Sequence, residues 1–263
     1  MKRLDRKIIL ILLNFVLVSF SVSASVTHNE FKSLVESFHI EFDKEVSSQN
    51  ETFLINQDFN SGNDLSFYWD MDIIRTSYSA SIDTKSNKKT HIIYFFGGYG
   101  RLKYMTLDSV IMSLCHELGH GLSNGIQKDS SYGEPTASVE GEADYFAANK
   151  CFKRMIKYVP SQQKDRSDIF SKNYVKKCLN NNEENTKEFC VRSYNELLVE
   201  QQFFADSIVN PDNAKVVSFS SPDESEVLRT NTSPDYYPVP QCRFDTMING
   251  YLNEDRPKCW YKK

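Results

Sequence analysis

The sequence predicts an α+β chain that is mainly helical and carries a small β-sheet. Its 263 residues suit one large or two small domains and are enough to bury a core. Apolar residues recur at helical spacing within residues 25–60 and 106–121, and a further helix is predicted from about 135 to 158. Residues 65–81 and 91–96 are rich in aromatic and β-branched side chains, which predicts strands.

The composition excludes several classes of protein. With 40% hydrophobic and 25% charged residues, the chain is not a collagen, a coiled coil, a multi-span membrane protein or a wholly disordered protein. A formal charge of −4 argues against a mainly electrostatic nucleic-acid binder. Histidine is scarce: there are five, and none follows His120.

The first 24 residues predict a cleaved signal peptide. A basic start is followed by an apolar run over residues 8–20 and by small residues at 22–24. A retained membrane anchor is the alternative, although the apolar run is short for a spanning helix. Cleavage removes four basic residues and Asp5, so the formal charge falls from −4 to −7. We therefore expect an exported protein, periplasmic or secreted, that is not stably inserted in a membrane.

The first predicted elements follow from their local patterns. In the helix within residues 25–60, the apolar face consists of Phe31, Leu34, Val35, Phe38 and Phe42. The two predicted strands flank a turn at residues 83–87, and the strand at 91–96 is a candidate edge strand for pairing with an extended peptide. We expect His91 to be a surface residue of this strand and not a metal ligand. Residues 97–100 (GGYG) end this strand as a turn, because no phosphate-loop pattern accompanies them.

The two central helices are bounded by recognisable signals. Thr106 is the expected N-cap of the first, and Gly121 or Gly125 its stop. The second is expected to begin near Pro135 and to run toward Tyr158. Beyond these helices, charged helical stretches alternate with a Ser/Pro-rich segment, 218–240, which we expect to be an ordered loop.

The first central helix carries HELGH at residues 116–120. His116 and His120 lie about 40° apart on the helical wheel and one turn along it, so both imidazoles can reach one ion. Glu117 can stand beside that ion and take a proton from a bound water. This is the HExxH arrangement of zinc metalloproteases. A surface helix with incidental histidines is the alternative.

A carboxylate must complete the site, because no later histidine exists. Glu140 and Asp144, on the second helix, are one turn apart and share a face. We expect Glu140 to be the third ligand and Asp144 to accept the free N–H of a ligating histidine. Glu142, which points about 200° away from Glu140, and Glu134 are weaker ligand candidates.

Six cysteines in an exported chain suggest disulfides. Six cysteines allow fifteen pairings, so the assignment stays open. Proximity favours Cys178–Cys190 and Cys242–Cys259 and leaves Cys115 with Cys151, which would tie the two central helices together. A four-cysteine structural zinc site competes with this interpretation, but no CxxC spacing supports it.

HExGH at 116–120 and ExxAD at 140–144 resemble the gluzincin metallopeptidases, in particular the family of the CaaX prenyl protease and the heat-shock membrane protease. The resemblance covers residues 90–160 well. It implies a zincin-like fold, in which the small residues Gly119 and Ala143 let the two ligand helices approach closely. The family's HPxxxxR motif corresponds loosely to residues 237–243, where Tyr237 replaces the histidine and Arg243 is retained.

The resemblance implies a small exported relative of this family. Residues 1–24 are its signal peptide and 25–263 its metallopeptidase domain, whose C-terminal part, about 161–263, is disulfide-bonded. One zinc ion would activate water for peptide hydrolysis, with Glu117 as general base. The expected oxyanion donor is Tyr237, followed by Arg243 and Tyr236.

Two alternatives to an endopeptidase acting on polypeptides remain. One is a periplasmic quality-control or assembly factor whose zinc site has low or masked activity. The other is a metal-binding or structural protein that does not hydrolyse peptides.

Overall fold

The protein's structure, a computed structural model, describes residues 25–57, 65–128, 137–161, 169–181, 185–206, 209, 215–219 and 238–260. These residues form helices around a three-stranded sheet, which confirms the predicted α+β, mainly helical class. The elements in chain order are α1 (His28–Ser48), β1 (Glu51–Ile55), α2 (Leu65–Asp70), β2 (Thr76–Asp83), β3 (Lys88–Phe95), α3 (Gly97–Gly100), α4 (Leu107–Leu122), α5 (Glu140–Phe146), α6 (Phe152–Met155), α7 (Ile169–Asn181), α8 (Lys187–Ala205) and α9 (Pro240–Tyr251).

Helix α1 buries all five apolar residues of its predicted face. Thr27 caps it through a reciprocal pair of hydrogen bonds with Glu30. The predicted extent to residue 60 is wrong, because Asn50 turns the backbone with a φ of 61° and β1 follows. Five residues are too few to show a period, and the pairing of β1 with β3 decides their conformation.

The sheet has the order β1-β3-β2, with β3 in the middle. Strand β1 runs parallel to β3, whereas β2 runs antiparallel to it. The predicted turn at 83–87 joins β2 to β3, with Asn87 at a φ of 52°. The aromatic residues at 65–70 form the short helix α2, not a strand, because Tyr68 and Trp69 are buried by packing against neighbouring aromatic rings.

The two central helices are present. Thr106 caps α4 by accepting a hydrogen bond from the Ser109 amide. The second helix starts at Glu140, later than expected, and Pro135 lies outside the described residues. It continues through a π-helical turn and α6 to a 3₁₀ turn that ends at Tyr158.

Helices α4 and α5 touch through their backbones. A Cβ added at Gly119 would lie 3.0 Å from both the Cα and the carbonyl oxygen of Ala143. The Cys115–Cys151 disulfide joins α4 to the π-helical turn that continues α5. Small residues and a covalent bond therefore hold these two helices together.

The other disulfides lie in the C-terminal half. Cys178–Cys190 joins α7 to α8, and Cys242–Cys259 joins α9 to the segment after it. All three pairs are those that proximity along the chain favoured. Across the described part of the chain, no helix has the length and apolarity needed to cross a membrane. Residues 220–237, most of the expected loop, are not among the described residues.

A buried ion pair attaches α8 to the start of α4. The guanidinium of Arg192 bonds to both carboxylate oxygens of Asp108 and to the carbonyl oxygens of Ile156 and Val159. Arg192 is buried, and a charge at that depth is tolerated only when its hydrogen bonds are satisfied. The C-terminal half of the chain is therefore part of the same core as the central helices.

We predict that Gly119→Ala destabilises the metal-free protein by about 1–3 kcal/mol. Helix propensity alone predicts the opposite sign, a gain of about 1 kcal/mol for alanine over glycine. The added methyl group, however, meets the Ala143 backbone, which cannot rotate away. Urea denaturation followed by circular dichroism measures the difference, and an unchanged or raised stability would contradict the close contact.

Candidate metal centre

Three side chains from α4 and α5 converge on one point. His116 Nε2 lies 3.1 Å from one carboxylate oxygen of Glu140, and His120 Nε2 lies 3.6 Å from the other. The ligand atoms of all three residues fall within 4.8 Å of one another. Two imidazole nitrogens and a carboxylate can hold a metal ion, and this donor set is one that zinc accepts.

The outer nitrogen of each imidazole lies close to an oxygen atom. His116 Nδ1 lies 2.7 Å from a carboxylate oxygen of Asp144. His120 Nδ1 lies 2.7 Å from the carbonyl oxygen of Ser138. A proton on each Nδ1 leaves Nε2 as the nitrogen that faces Glu140, so these contacts orient both rings toward a common ion.

Two cations border the carboxylates. The Nε and Nη2 atoms of Arg243 on α9 each donate to Asp144 at 2.7 Å, and Nη2 lies 4.0 Å from Glu140. Lys128 Nζ lies 3.0 Å from the other oxygen of Glu140. Arg243 was a sequence candidate, although as an oxyanion donor. Lys128 was missed, since a lone lysine in a loop carries no pattern.

The charged groups of the centre shift one another's pKa values. Burial by itself lowers the pKa of His116, but Asp144 and Glu140 outweigh it and raise the pKa to about 10. Burial lowers the pKa of His120 to about 4, and Glu140 opposes it only in part. Burial would raise the pKa of Glu140, yet the two imidazoles and Arg243 hold it well below its ordinary value. The acidic ligand is therefore ionised, as cation binding requires.

Glu117 lies beside the three ligands. The Thr76 hydroxyl, at the first position of β2, donates to its carboxylate at 2.5 Å. Burial raises the pKa of Glu117, and His116 and Thr76 offset part of this effect. A buried carboxylate with one fixed donor and one remaining oxygen is suited to exchange a proton with a molecule held at the centre.

The ligands and Glu117 open into a cavity of about 360 Å³. Residues 74–78, around the start of β2, line it. Residues of α8 and α9 also line it, among them Glu200 and Arg243. The candidate centre thus faces a space that is larger than a water molecule.

The weaker ligand candidates are not at this centre. Glu142 points away from it and accepts hydrogen bonds from Arg256 at 2.9 and 3.1 Å. Glu134, Tyr236 and Tyr237 lie outside the described residues, so their roles stay predictions.

His91, expected at the strand surface, is fully buried. It lies in β3, the middle strand, under α4, where a Cβ at Gly121 would come within 2.3 Å of its Nδ1. Its two ring nitrogens lie 2.8 Å from the Tyr78 hydroxyl and 2.8 Å from Glu51. The ring of Tyr78 in turn lies near that of His120, with centroids 5.8 Å apart. His91 is therefore a structural link between the sheet and the metal-ligand helix and not a ligand.

Comparisons with known proteins found no relative of this chain. The chain matches no family model, no curated protein and no solved structure. What the centre can do is accordingly inferred from its own residues: two imidazoles, an ionised carboxylate, and a second carboxylate placed to move a proton.

Proposed function

We propose that the protein is a zinc-dependent endopeptidase of the gluzincin type, with a zincin-like arrangement of α4 and α5. The observation that carries the proposal is the position of Glu117. It is buried in the wall of the same cavity as His116, His120 and Glu140, and Thr76 fixes one of its carboxylate oxygens. A purely structural metal site has no need for a proton acceptor facing an open cavity.

The residues have distinct parts in peptide hydrolysis. His116, His120 and Glu140 would hold the zinc ion, which when bound supplies a Lewis acid for water and for the scissile carbonyl. Glu117 accepts the proton of the attacking water and returns it to the leaving nitrogen. Asp144, held by Arg243, keeps the ring of His116 in place.

Strand β2 is the element best placed to bind an extended polypeptide. The sequence favoured the strand at 91–96 for this role, but that strand belongs to β3, which is paired on both sides. Strand β2 pairs on one side among the described residues, and its first residues line the cavity. A substrate chain that adds to this edge lies alongside Glu117.

Three disulfides fit an oxidising compartment. Together with the N-terminal pattern of residues 1–24, they support the proposal that the enzyme acts after export.

We predict that Glu117→Gln abolishes peptide hydrolysis and leaves zinc binding intact. The amide cannot accept the water proton, so turnover falls by about 10²–10⁴-fold. Zinc content by mass spectrometry and cleavage of casein or a peptide library measure the two properties on the same preparation. Glu36→Gln, which removes one exposed carboxylate on α1, is the matched control and keeps full activity.

Two results would overturn the proposal. If the wild-type protein binds one zinc ion and cleaves neither unfolded protein nor peptides, the protein is not an endopeptidase. If the Glu117→Gln variant turns over substrate at the wild-type rate, Glu117 is not the general base. Removal of zinc by a chelator is expected to stop cleavage, and re-addition to restore it.

We predict that Asp144→Asn weakens zinc binding by about 10–100-fold. The amide removes the negative charge that supports His116 and that pairs with Arg243. Competition with a chromophoric chelator measures the affinity. The matched control is Asp43→Asn, which alters an exposed Asp–His pair, with His39, on α1. Equal zinc affinity in the two variants would contradict a supporting role for Asp144.

A further inference from the structure

Beside the metal centre, residues of α4, α8 and α9 line a part of the cavity, here called the compartment, whose walls include several apolar side chains. Met112 and Ser113 precede His116 on α4 by about one turn, so they lie on the face of the helix that carries the ligand. Phe203 and Phe204 on α8 line the same cavity, as does Met247 on α9. A side chain of a bound polypeptide next to the scissile bond would enter this compartment.

One carboxylate interrupts these apolar walls. Glu200 lies one turn before Phe204 on α8, lines the cavity and is only 7% exposed. Its nearest partner is another carboxyl group, that of Glu196, one turn earlier and fully buried. The Tyr251 hydroxyl donates to Glu196 at 2.8 Å. Of these two neighbouring buried carboxyl groups, that of Glu200 lines the cavity of the proposed active site and that of Glu196 does not.

The positive charge that acts most on Glu200 is that of Arg243, whose hydrogen bonds go to another carboxylate. Arg243 makes two hydrogen bonds to Asp144 and also approaches Glu140. Its guanidinium therefore faces three carboxyl groups, those of Asp144, Glu140 and Glu200. Within the described part of the chain, no lysine or arginine forms an ion pair with Glu200. Burial accordingly raises the pKa of Glu200 to about 7, although Arg243 partly opposes the rise.

A buried carboxyl group that lines a cavity next to apolar side chains favours one class of ligand. A neutral apolar side chain leaves the carboxyl group desolvated and without a cation, and an acidic side chain is repelled by it. A lysine or arginine side chain places its aliphatic stem against the apolar walls and its cationic end at the carboxylate.

We propose that Glu200 makes this compartment a specificity pocket for a lysine or arginine side chain of the polypeptide substrate. The proposal rests on the proposed endopeptidase function, for which it names the substrate class. Glu200 binds the side chain and takes no part in breaking the peptide bond. Glu196, through its contact with Glu200, is a neighbour of the pocket and not its cation-binding group.

The test uses binding as well as cleavage, so that the two proposals can fail separately. Zinc-loaded Glu117→Gln protein is titrated by calorimetry with hexapeptides in which each position in turn is lysine, norleucine or glutamate. Norleucine matches the lysine stem without its charge. At one position we expect lysine to bind about tenfold or more tighter than norleucine, and glutamate to bind worst. The wild-type enzyme is then assayed for cleavage of the same set.

Variants assign the preference to Glu200. In the Glu117→Gln background, Glu200→Gln is expected to reduce the lysine-to-norleucine ratio to near one. Glu196→Gln retains the preference, because Glu200 keeps its carboxylate and Tyr251 keeps an acceptor. Glu36→Gln controls for the loss of one negative charge. If Glu200→Gln does not fold, the order in which the parent protein binds the lysine, norleucine and glutamate peptides still decides whether a pocket for a cationic side chain exists.

Each outcome decides between the proposals. Cleavage without any preference for lysine overturns the pocket and leaves the endopeptidase intact. Preferential binding of lysine peptides without cleavage by the wild type overturns the endopeptidase and supports a cation-binding pocket. Equal loss of preference in the Glu196→Gln and Glu200→Gln variants overturns the assignment to Glu200, because the pair then acts only as structural support for Arg243.

Discussion

The backbone contact between α4 and α5 is the constraint on which the candidate centre depends. The helices touch at Gly119 and Ala143. His116 and Glu140 each lie three residues before this contact, while His120 and Asp144 each lie one residue after it. Residues at those offsets face across the crossing, so the ligands meet because the helices meet. A side chain larger than hydrogen at position 119 would separate all of them together.

Small residues also allow close contacts where the C-terminal part of the chain packs against the second ligand helix. A Cβ at Gly250 of α9 would come within 2.8 Å of the Cβ of Ala148, and one at Gly141 would meet Trp260. These contacts bring α9 against α5, and with it Arg243 against Asp144. The Cys242–Cys259 disulfide, next to Arg243, holds the end of the chain in that position. This disulfide therefore stabilises the electrostatic surroundings of the candidate metal site as well as the fold.

The sequence predicted that His116, His120 and Glu140 come together, because the geometry is largely local. Ligands at i and i+4 on one helix need only helical periodicity, and the absence of later histidines pointed to a carboxylate on the next helix. The cysteine pairing followed proximity along the chain. The contributions of Thr76 and Lys128 were missed, because each depends on a tertiary contact that no spacing encodes.

The wrong predictions of secondary structure and burial have the same cause, namely tertiary contacts that no local pattern encodes. Residues 65–70 have strand-like composition but form a helix, since burial of Tyr68 and Trp69 overrides propensity. In the sequence, strand β1 directly follows a long amphipathic helix and has no recognisable pattern of its own. Its pairing with β3 defines it as a strand. His91 looked exposed because a strand pattern does not tell which strand is central. Sheet order is a property of long-range pairing, and it determines both the burial of His91 and which described strands lie at the edges of the sheet.

If the protein is the proposed endopeptidase, that sheet order also links substrate binding to proton transfer. Thr76 is the first residue of β2 and the donor to Glu117, so the strand at the edge of the sheet and the proposed general base are joined by one hydrogen bond. A polypeptide that pairs with β2 is positioned by the same backbone that positions the carboxylate. A shift of this strand relative to α4 would therefore displace the substrate and the base together. Their relative geometry depends on Thr76, which is why a side chain outside both sequence motifs belongs to the site.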